Sequence, residues 1–341
     1  MIKVLFIDIK TAERIIDNIP LGLFQEPFWW RIIVKGFNKT CKIALIEQDD
    51  VNILLIPVFY NKIAFVHRVG IPLRGTYTPY IEFIKLSKNI NANVQKESLI
   101  EIIKILKEEG ANWIEITCLS ENDGIYGDLK KHNFTVERSS SIILNTNKPL
   151  ESLWVNTEGR NRNLVRKAEK NQLCAKFLDF NLQNIDLFYS MLENTFIKSG
   201  FPPPHSKDFY ILLTKELLES DNLIFVSIEK DIETVAMGMF MFNDNEINFM
   251  SGTSTSLGNK YGANNLMHWE VIKFASQNNI KEYNFGGLGI PSIDKFKRSF
   301  GGYETNYTRY IWMKSYINFI FQMLMWFKNK LLKPFLIWYK N

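Results

Sequence analysis

Apolar residues recur along this chain with two alternating spacings. In the first half, "CKIALIEQ" (Cys41–Gln48) and "VNILLIPVFY" (Val51–Tyr60) are apolar, β-branched runs on either side of Asp49-Asp50, the pattern of two strands joined by a tight turn. "SLIEIIKILKEEG" then places Leu99, Ile102, Ile103 and Leu106 at helical spacing, with Gly110 as a stop, and "ANWIEITCLS" reads as a buried strand. In the second half, "NLIFVSIEK" and "TVAMGMFMFN" flank Asp231, and "EINFMSGT" extends the sheet. The helix "NNLMHWEVIKFASQNN" leads into the strand "KEYNFGG". Each half thus alternates strands and helices, which predicts an α/β chain of mixed sheets flanked by helices. The expected divisions are 1–150, 151–313 and a terminal amphipathic helix over 314–341.

The order of elements repeats in the letters too. "IIKILKEEGANWIEI" from Ile102 aligns without a gap on "VIKFASQNNIKEYNF" from Val271, an offset of 169 residues, as duplicated structural units would. Beyond the aligned stretch the copies part. "LKKHNF" (Leu129–Phe134) continues the first and "FKRSFGG" (Phe296–Gly302) the second, so both carry paired cations and only the second adds paired glycines. Specialised chemistry is expected in the second half.

Composition narrows the classes. With 341 residues, 46% of them hydrophobic, the chain can bury two cores, which argues against disorder. A net charge of +5 favours an anionic partner without requiring one. Cys41, Cys118 and Cys174 are an odd number, far apart and without a CxxC, so neither a disulfide framework nor a zinc site is suggested. His67, His132, His205 and His268 show no metal-ligand spacing, and His268 falls at an apolar helical position where packing is the simpler role. No metal is expected, and the N-terminus lacks a signal-peptide pattern, so the expected compartment is the reducing cytoplasm.

Four segments carry a family resemblance. "NNLMHWEVIKFASQNNIKEYNFGG" followed by "FKRSFGG", with "EGRNRNLVRKAEKN" upstream and "FQEPFWWRI" near the N-terminus, resembles the FemABX branch of the GNAT acyltransferase superfamily over essentially the whole chain. The resemblance implies two GNAT folds in tandem. It also implies transfer of an acyl or aminoacyl group to an amine, on a peptidoglycan or surface-polysaccharide precursor. The donor would be an acyl thioester such as acyl-coenzyme A, or an aminoacyl-tRNA, and no tightly bound cofactor is needed. The long insertion that forms a coiled-coil arm in larger members has no counterpart in 181–222.

The resemblance matches Phe296-Lys297 to a Phe-Lys pair whose lysine stabilises charge during transfer, making Lys297 the catalytic candidate. A fixed cation facing a developing oxyanion contributes about 3–4 kcal/mol. Arg298 offers a fork for phosphate, and Gly301-Gly302 offer positive φ or a close backbone approach. The same letters also describe a helix end with solvated cations and a glycine cap. For the donor, the loop "TSTSLGNKYGANN" before a helix is an anion-binding pattern, with Lys260, Asn264 and Asn265 as contacts. It lacks the Q/R-x-x-G-x-G/A pattern of coenzyme A sites, since Gly262 is followed by Ala263 and Asn264. Arg162, Arg166 and Lys170 share one helical face, suited to a polyanion such as tRNA or to covering a seam.

The resemblance places the acceptor against the first half. There the Gly/Pro/aromatic stretch His67–Phe83 supplies Arg68, Arg74, Tyr77 and Tyr80, and the "FQEPFWW" segment supplies Trp30 and Arg31 as a wall, or as core. "SGFPPPHS" over 199–206 reads as a rigid surface loop. About 13 residues separate Lys314 from Lys328, too few to span a bilayer. Ser315, Asn318, Gln322, Asn329 and Lys333 form a polar stripe on this terminal helix, which either lies in a membrane interface at the inner face or docks on the second sheet.

Overall fold

The computed structural model describes residues 2–88, 90–179, 181–198, 200 and 202–338. From the N-terminus run β1 (Ile2–Ile7), α1 (Ile9–Ile16), α2 (Pro27–Gly36), β2 (Thr40–Gln48), β3 (Val51–Ile63), β4 (Val66–Ile71) and the short β5 (Ile84–Lys85). They are followed by α3 (Ala92–Glu108), β6 (Trp113–Leu119), α4 (Asp123–Tyr126) and β7 (Thr135–Asn145). The second half supplies α5 (Leu150–Asn156), α6 (Gly159–Lys170), β8 (Leu173–Phe177), α7 (Leu182–Lys198), α8 (Lys207–Glu219), β9 (Leu223–Lys230), β10 (Glu233–Phe242) and β11 (Glu246–Ser254). Last come α9 (Ser256–Tyr261), α10 (Ala263–Gln277), β12 (Glu282–Gly287), α11 (Pro291–Arg298), β13 (Tyr303–Met313) and α12 (Ser315–Trp338).

These elements group into two compact units, the first of Met1–Ile19, Lys39–Arg138 and Tyr307–Asn341, the second of Pro20–Asn38 and Ser139–Asn306. Where the sequence pattern suggests cuts after residues 150 and 313, the units interleave. α2 belongs to the second unit because its apolar face, including Trp29, Trp30 and Ile33, is buried there, with Gly36 close against Phe209 of α8.

In the first unit the strand order is β1-β2-β3-β4-β6, continued by the Tyr307–Met313 part of β13. The β2–β3 turn forms as expected at Asp49-Asp50, both with positive φ, which suits the twist of a tight hairpin. Among the described residues of this unit only β4 and β6 pair in parallel, with α3 as the crossover. In the second unit the order is β12-β11-β10-β9-β8, and Ser141–Asn145 of β7 pair antiparallel with β12. β11 and β12 are its parallel pair, bridged by α9 and α10. The repeat seen in the sequence therefore falls on α3–β6 and α10–β12, the same crossover in each unit. Each unit is a mixed sheet with helices on it, the tandem architecture expected.

Two sequence expectations change. His67–Phe83 is not all loop, because Val66–Ile71 is β4 and the loop begins at Pro72. α12 starts on the first unit rather than on the second sheet: Ile317 is buried and Phe321 packs edge-on to Trp113 at 5.3 Å. Of its polar stripe, Ser315, Asn318 and Gln322 are exposed, and the side chains of Asn329 and Lys333 lie outside the described residues. In the 199–206 stretch, Ser199 and Phe201 also lie outside them.

Candidate functional site

In the second unit a parallel pair of strands comes apart. β11 and β12 pair at Glu246↔Glu282, Ile247↔Tyr283 and Asn248↔Asn284, and β11 then runs on to Ser254 unpaired with β12. The cause lies in β12. Its register against β7 shifts between Asn284 and Gly287, where the Asn284 Oδ1 accepts the Gly286 N–H at 2.8 Å and Gly286 takes φ +80°. A side chain with Cβ would be strained there. The gap between the strands becomes a cavity of about 270 Å³, walled by Phe249 and Gly252 of β11, Phe285 of β12, His268 of α10, and Phe296 and Lys297 of α11.

Lys297 is half-buried, and its Nζ donates to the Gly287 carbonyl at 2.5 Å, so the ammonium is held at the end of the splayed strand. Burial lowers its pKa, opposed by the Asp294 carboxylate on the same helix. Asp294 in turn accepts the Gly289 N–H at 3.1 Å, which closes the turn entering α11. Beneath the cation lies an aromatic floor. The His268 ring lies 4.9 Å from Phe249, 5.3 Å from Phe296 and 5.6 Å from Phe300, and its Nδ1 hydrogen-bonds the Tyr283 hydroxyl. Burial, and secondarily the Lys297 charge, pull the His268 pKa down to about 3, so the imidazole is neutral at ordinary pH.

A second opening of about 270 Å³ shares Ser292 and Phe296 with the first and is lined also by Glu158, Arg160 and Asn265. Behind it runs a polar relay: Asn265 Nδ2 donates to Asn161 Oδ1 at 2.7 Å, Asn161 Nδ2 to Ser299 Oγ at 3.0 Å, and Ser299 Oγ to the Phe296 carbonyl at 2.6 Å. This ties α10, α6 and α11 together and fixes Phe296 beside the cavity.

The structure sorts the sequence candidates. Phe296, Lys297 and Asn264 line the cavity, and Asn265 lies behind it in the relay. Arg298 faces out and pairs with Glu304 at 2.8 Å. Gly301, at φ +84°, is needed because a Cβ would meet the Asn156 carbonyl at 2.7 Å, and one on Gly302 would meet Ile142 at 2.6 Å. The close approach those glycines permit is to the protein's own backbone. Lys260 lies over the Tyr261 ring, with Nζ at 5.3 Å from the centroid, at the exposed end of α9. In α6, Arg162 caps the last carbonyls of α5, donating to Val155 at 2.8 Å, and Arg166 lies over Trp154 at 5.3 Å, so two of the three cations of that face have partners within the unit. Trp30 is fully buried with its indole donating to the Phe24 carbonyl at 3.2 Å, which makes it core, and Arg31 faces Glu216 at 3.6 Å within the second unit.

In the first unit Arg68 grips the buried Glu115 through both carboxylate oxygens, at 2.7 and 2.8 Å, and the Arg74 N–H donates to the same carboxylate. The Arg74 side chain is exposed and reaches Glu137 at 3.2 Å. Tyr77 adopts φ +55°, and Tyr80 stacks on Tyr307 with centroids 5.4 Å apart. Arg74, Tyr77 and Tyr80 thus lie on one loop, while Arg68 lies within β4. The residues that sequence reasoning missed are Phe249, Phe285, His268 and the Gly286-Gly287 turn. The "NFGG" ending of β12 was their visible signal, since paired glycines closing a buried strand mark a break in pairing. Among the described residues no group of three or more His, Cys, Asp or Glu side chains is placed to hold a metal ion.

Comparison with known proteins shows what parts of this chain are similar to. Residues 160–298, which include the splayed strands and Lys297, match the model of the acetyltransferase (GNAT) domain. The aminoacyltransferase FemB of Staphylococcus epidermidis is 35% identical over 94 residues, covering 25% of this chain and 22% of FemB. The chain thus spans about a fifth of the length of the curated relatives it matches. The crystal structure of FemX superimposes with a TM-score of 0.71 at 13% identity, over 90% of this chain and 96% of that one. A tandem GNAT protein from the clavulanic acid biosynthesis pathway follows the same fold, with a TM-score of 0.56 at 5% identity over 92% and 98% of the two chains.

Proposed function

We propose, on the premise that this chain is a FemABX-like member of the GNAT superfamily, that it is an N-acyltransferase acting on an amine of a cell-envelope or surface-polysaccharide precursor. The observation that carries this reading is the Lys297 ammonium, fixed on the Gly287 carbonyl at the mouth of the β11/β12 opening. In the proposed reaction the amine lone pair attacks the donor carbonyl, a C–N bond forms, and the C–O or C–S bond to the carrier breaks. Lys297 stabilises the negative charge that passes to the carbonyl oxygen and the leaving group, and the aromatic walls keep water from competing. The amine proton leaves with the departing carrier or to solvent.

Two donors fit this chemistry, and one observation favours the aminoacyl ester. The start of α10 lacks the open glycine-rich turn that wraps a pyrophosphate; instead the space beside Gly262 is filled by the Leu164 carbonyl of α6, 2.7 Å from where a Cβ would stand. The loop bearing Arg74, Tyr77 and Tyr80 is the proposed acceptor side. Transfer of labelled amino acid from charged tRNA, run beside labelled acetyl-coenzyme A with an amine-bearing precursor, tests the reading. Transfer is expected from the charged tRNA, with kcat/KM falling about 10²–10³-fold in Lys297→Ala. Label moving only from the thioester would reassign the donor. An unaffected Lys297→Ala enzyme would remove Lys297 from the mechanism, and precursor binding without transfer from either donor would leave a glycan- or lipid-binding module of the same fold.

A further inference from the structure

The first unit has a cavity that the proposed transfer does not use. It has a volume of about 470 Å³ and is lined by Lys42, Tyr60, Asn61, Lys62, Arg68 and Glu109, among others. Its polar atoms are mostly donors. Tyr60 Oη and Arg68 Nε are buried and, among the described residues, meet no hydrogen-bond partner. Lys39 joins the rim through Asn61 at 3.1 Å. The carboxylates in reach are Glu109, 3.8 Å from Lys42, and Glu115, already committed to Arg68. An orphaned phenol O–H, an orphaned guanidinium N–H and surplus cations call for a ligand with several acceptor oxygens and negative charge.

What surrounds the cavity indicates which ligand. Asn112 joins three elements: its Nδ2 donates to the Phe65 carbonyl at the β3–β4 tip (2.8 Å) and to the Tyr316 hydroxyl of α12 (3.1 Å), and its Oδ1 accepts the His67 N–H (2.9 Å). Next to it Trp113 carries Arg68 on its ring face at 5.0 Å and Phe321 of α12 against its edge. The basic cavity, the hairpin tip and the start of α12 are therefore one locality. Both elements carry exposed apolar side chains there. Ile63 and Phe65 are 60% and 56% exposed at the tip, and Phe319, Leu324 and Trp326 are 66%, 62% and 54% exposed on α12. No helix of the described residues is long and apolar enough to cross a membrane.

We infer that this face docks on an anionic lipid bilayer, the hairpin tip and α12 entering the interface while the cavity at Lys42, Tyr60 and Lys62 takes a lipid phosphate. Apolar burial and attraction to anionic headgroups reinforce each other on such a surface. Flotation of the full chain with vesicles tests it, without reference to any transfer activity. Binding is expected to vesicles of phosphatidylcholine with phosphatidylglycerol, to weaken with salt, and to be at least about tenfold weaker to phosphatidylcholine alone. Lys42→Glu combined with Lys62→Glu is expected to abolish that preference with the thermal midpoint unchanged. Should the double variant misfold, wild-type Lys42 and Lys62 are expected to become protected from an amine-acylating reagent when phosphatidylglycerol vesicles are added. Equal binding to both compositions, absence of protection, or failure to bind vesicles while tRNA or inorganic phosphate occupies the cavity would overturn the inference.

Discussion

Glu246, the first residue of β11, shows how one buried side chain ties the N-terminal segment to the second unit. Its carboxylate is buried and accepts the Leu23 N–H at 3.0 Å. Burial raises its pKa to about 7, the nearby Glu282 adds to the rise, and the Leu23 bond opposes it. The protonated form is thus favoured more in the folded than in the unfolded protein. Between the unfolded value, near 4.5, and about 7, the folded state binds more protons, so stability falls as pH rises through that window. Glu246→Gln keeps the acceptor oxygen and removes the charge. It is expected to flatten this pH dependence and to raise stability at pH 8 by a few kcal/mol, read from urea unfolding at pH 5 and pH 8. At this scale Lys297 was legible, because a cation between two phenylalanines before paired glycines is an unusual string. His268 was not, because an apolar helical position describes its burial and says nothing of the cavity on its other side. Trp30 and Arg298 had the right chemistry for a site. Their surroundings, which local spacing does not encode, gave them to the core and to a surface ion pair.

The elements around the cavity depend on where the backbone turns sharply. Gly262 ends α9 and opens α10 at φ +84°, and α6 presses a carbonyl into the space a side chain would need. Gly262→Ala is expected to cost roughly 1–3 kcal/mol by denaturant unfolding. Because this junction aims α10 at the cavity, transfer activity should fall more than the fraction unfolded accounts for. The alternation of strand and helix, and the repeated helix–strand pair, could be seen in the letters because each element buries a face of regular period. The splay of β11 from β12 left only the Gly286-Gly287 pair as a local trace, since its extent depends on a register shift against a third strand far away in sequence.

For the molecule as a whole, the interleaving of units was the feature least visible in advance. Nothing in the periodicity of α2 says which sheet it will cover, and nothing in the pattern of β13 says that Tyr307–Met313 will pair with β6. A chain stopped at Asn306 holds every residue of the second unit but lacks the strand that pairs with β6. Limited proteolysis of that truncated chain is expected to spare 139–306 and to cut within 39–138, and equal resistance of both regions would contradict the assignment. The same pairing has a consequence for biosynthesis. A ribosome delivers β6 nearly two hundred residues before its partner at Tyr307–Met313, so the unit begun first is the last to be finished. For most of translation one edge of its sheet stands open, with the backbone groups of Trp113–Leu119 that later pair with Tyr307–Met313 left without that partner strand. The nascent chain must be kept from pairing that edge with a neighbour on the same message until its own final strand emerges.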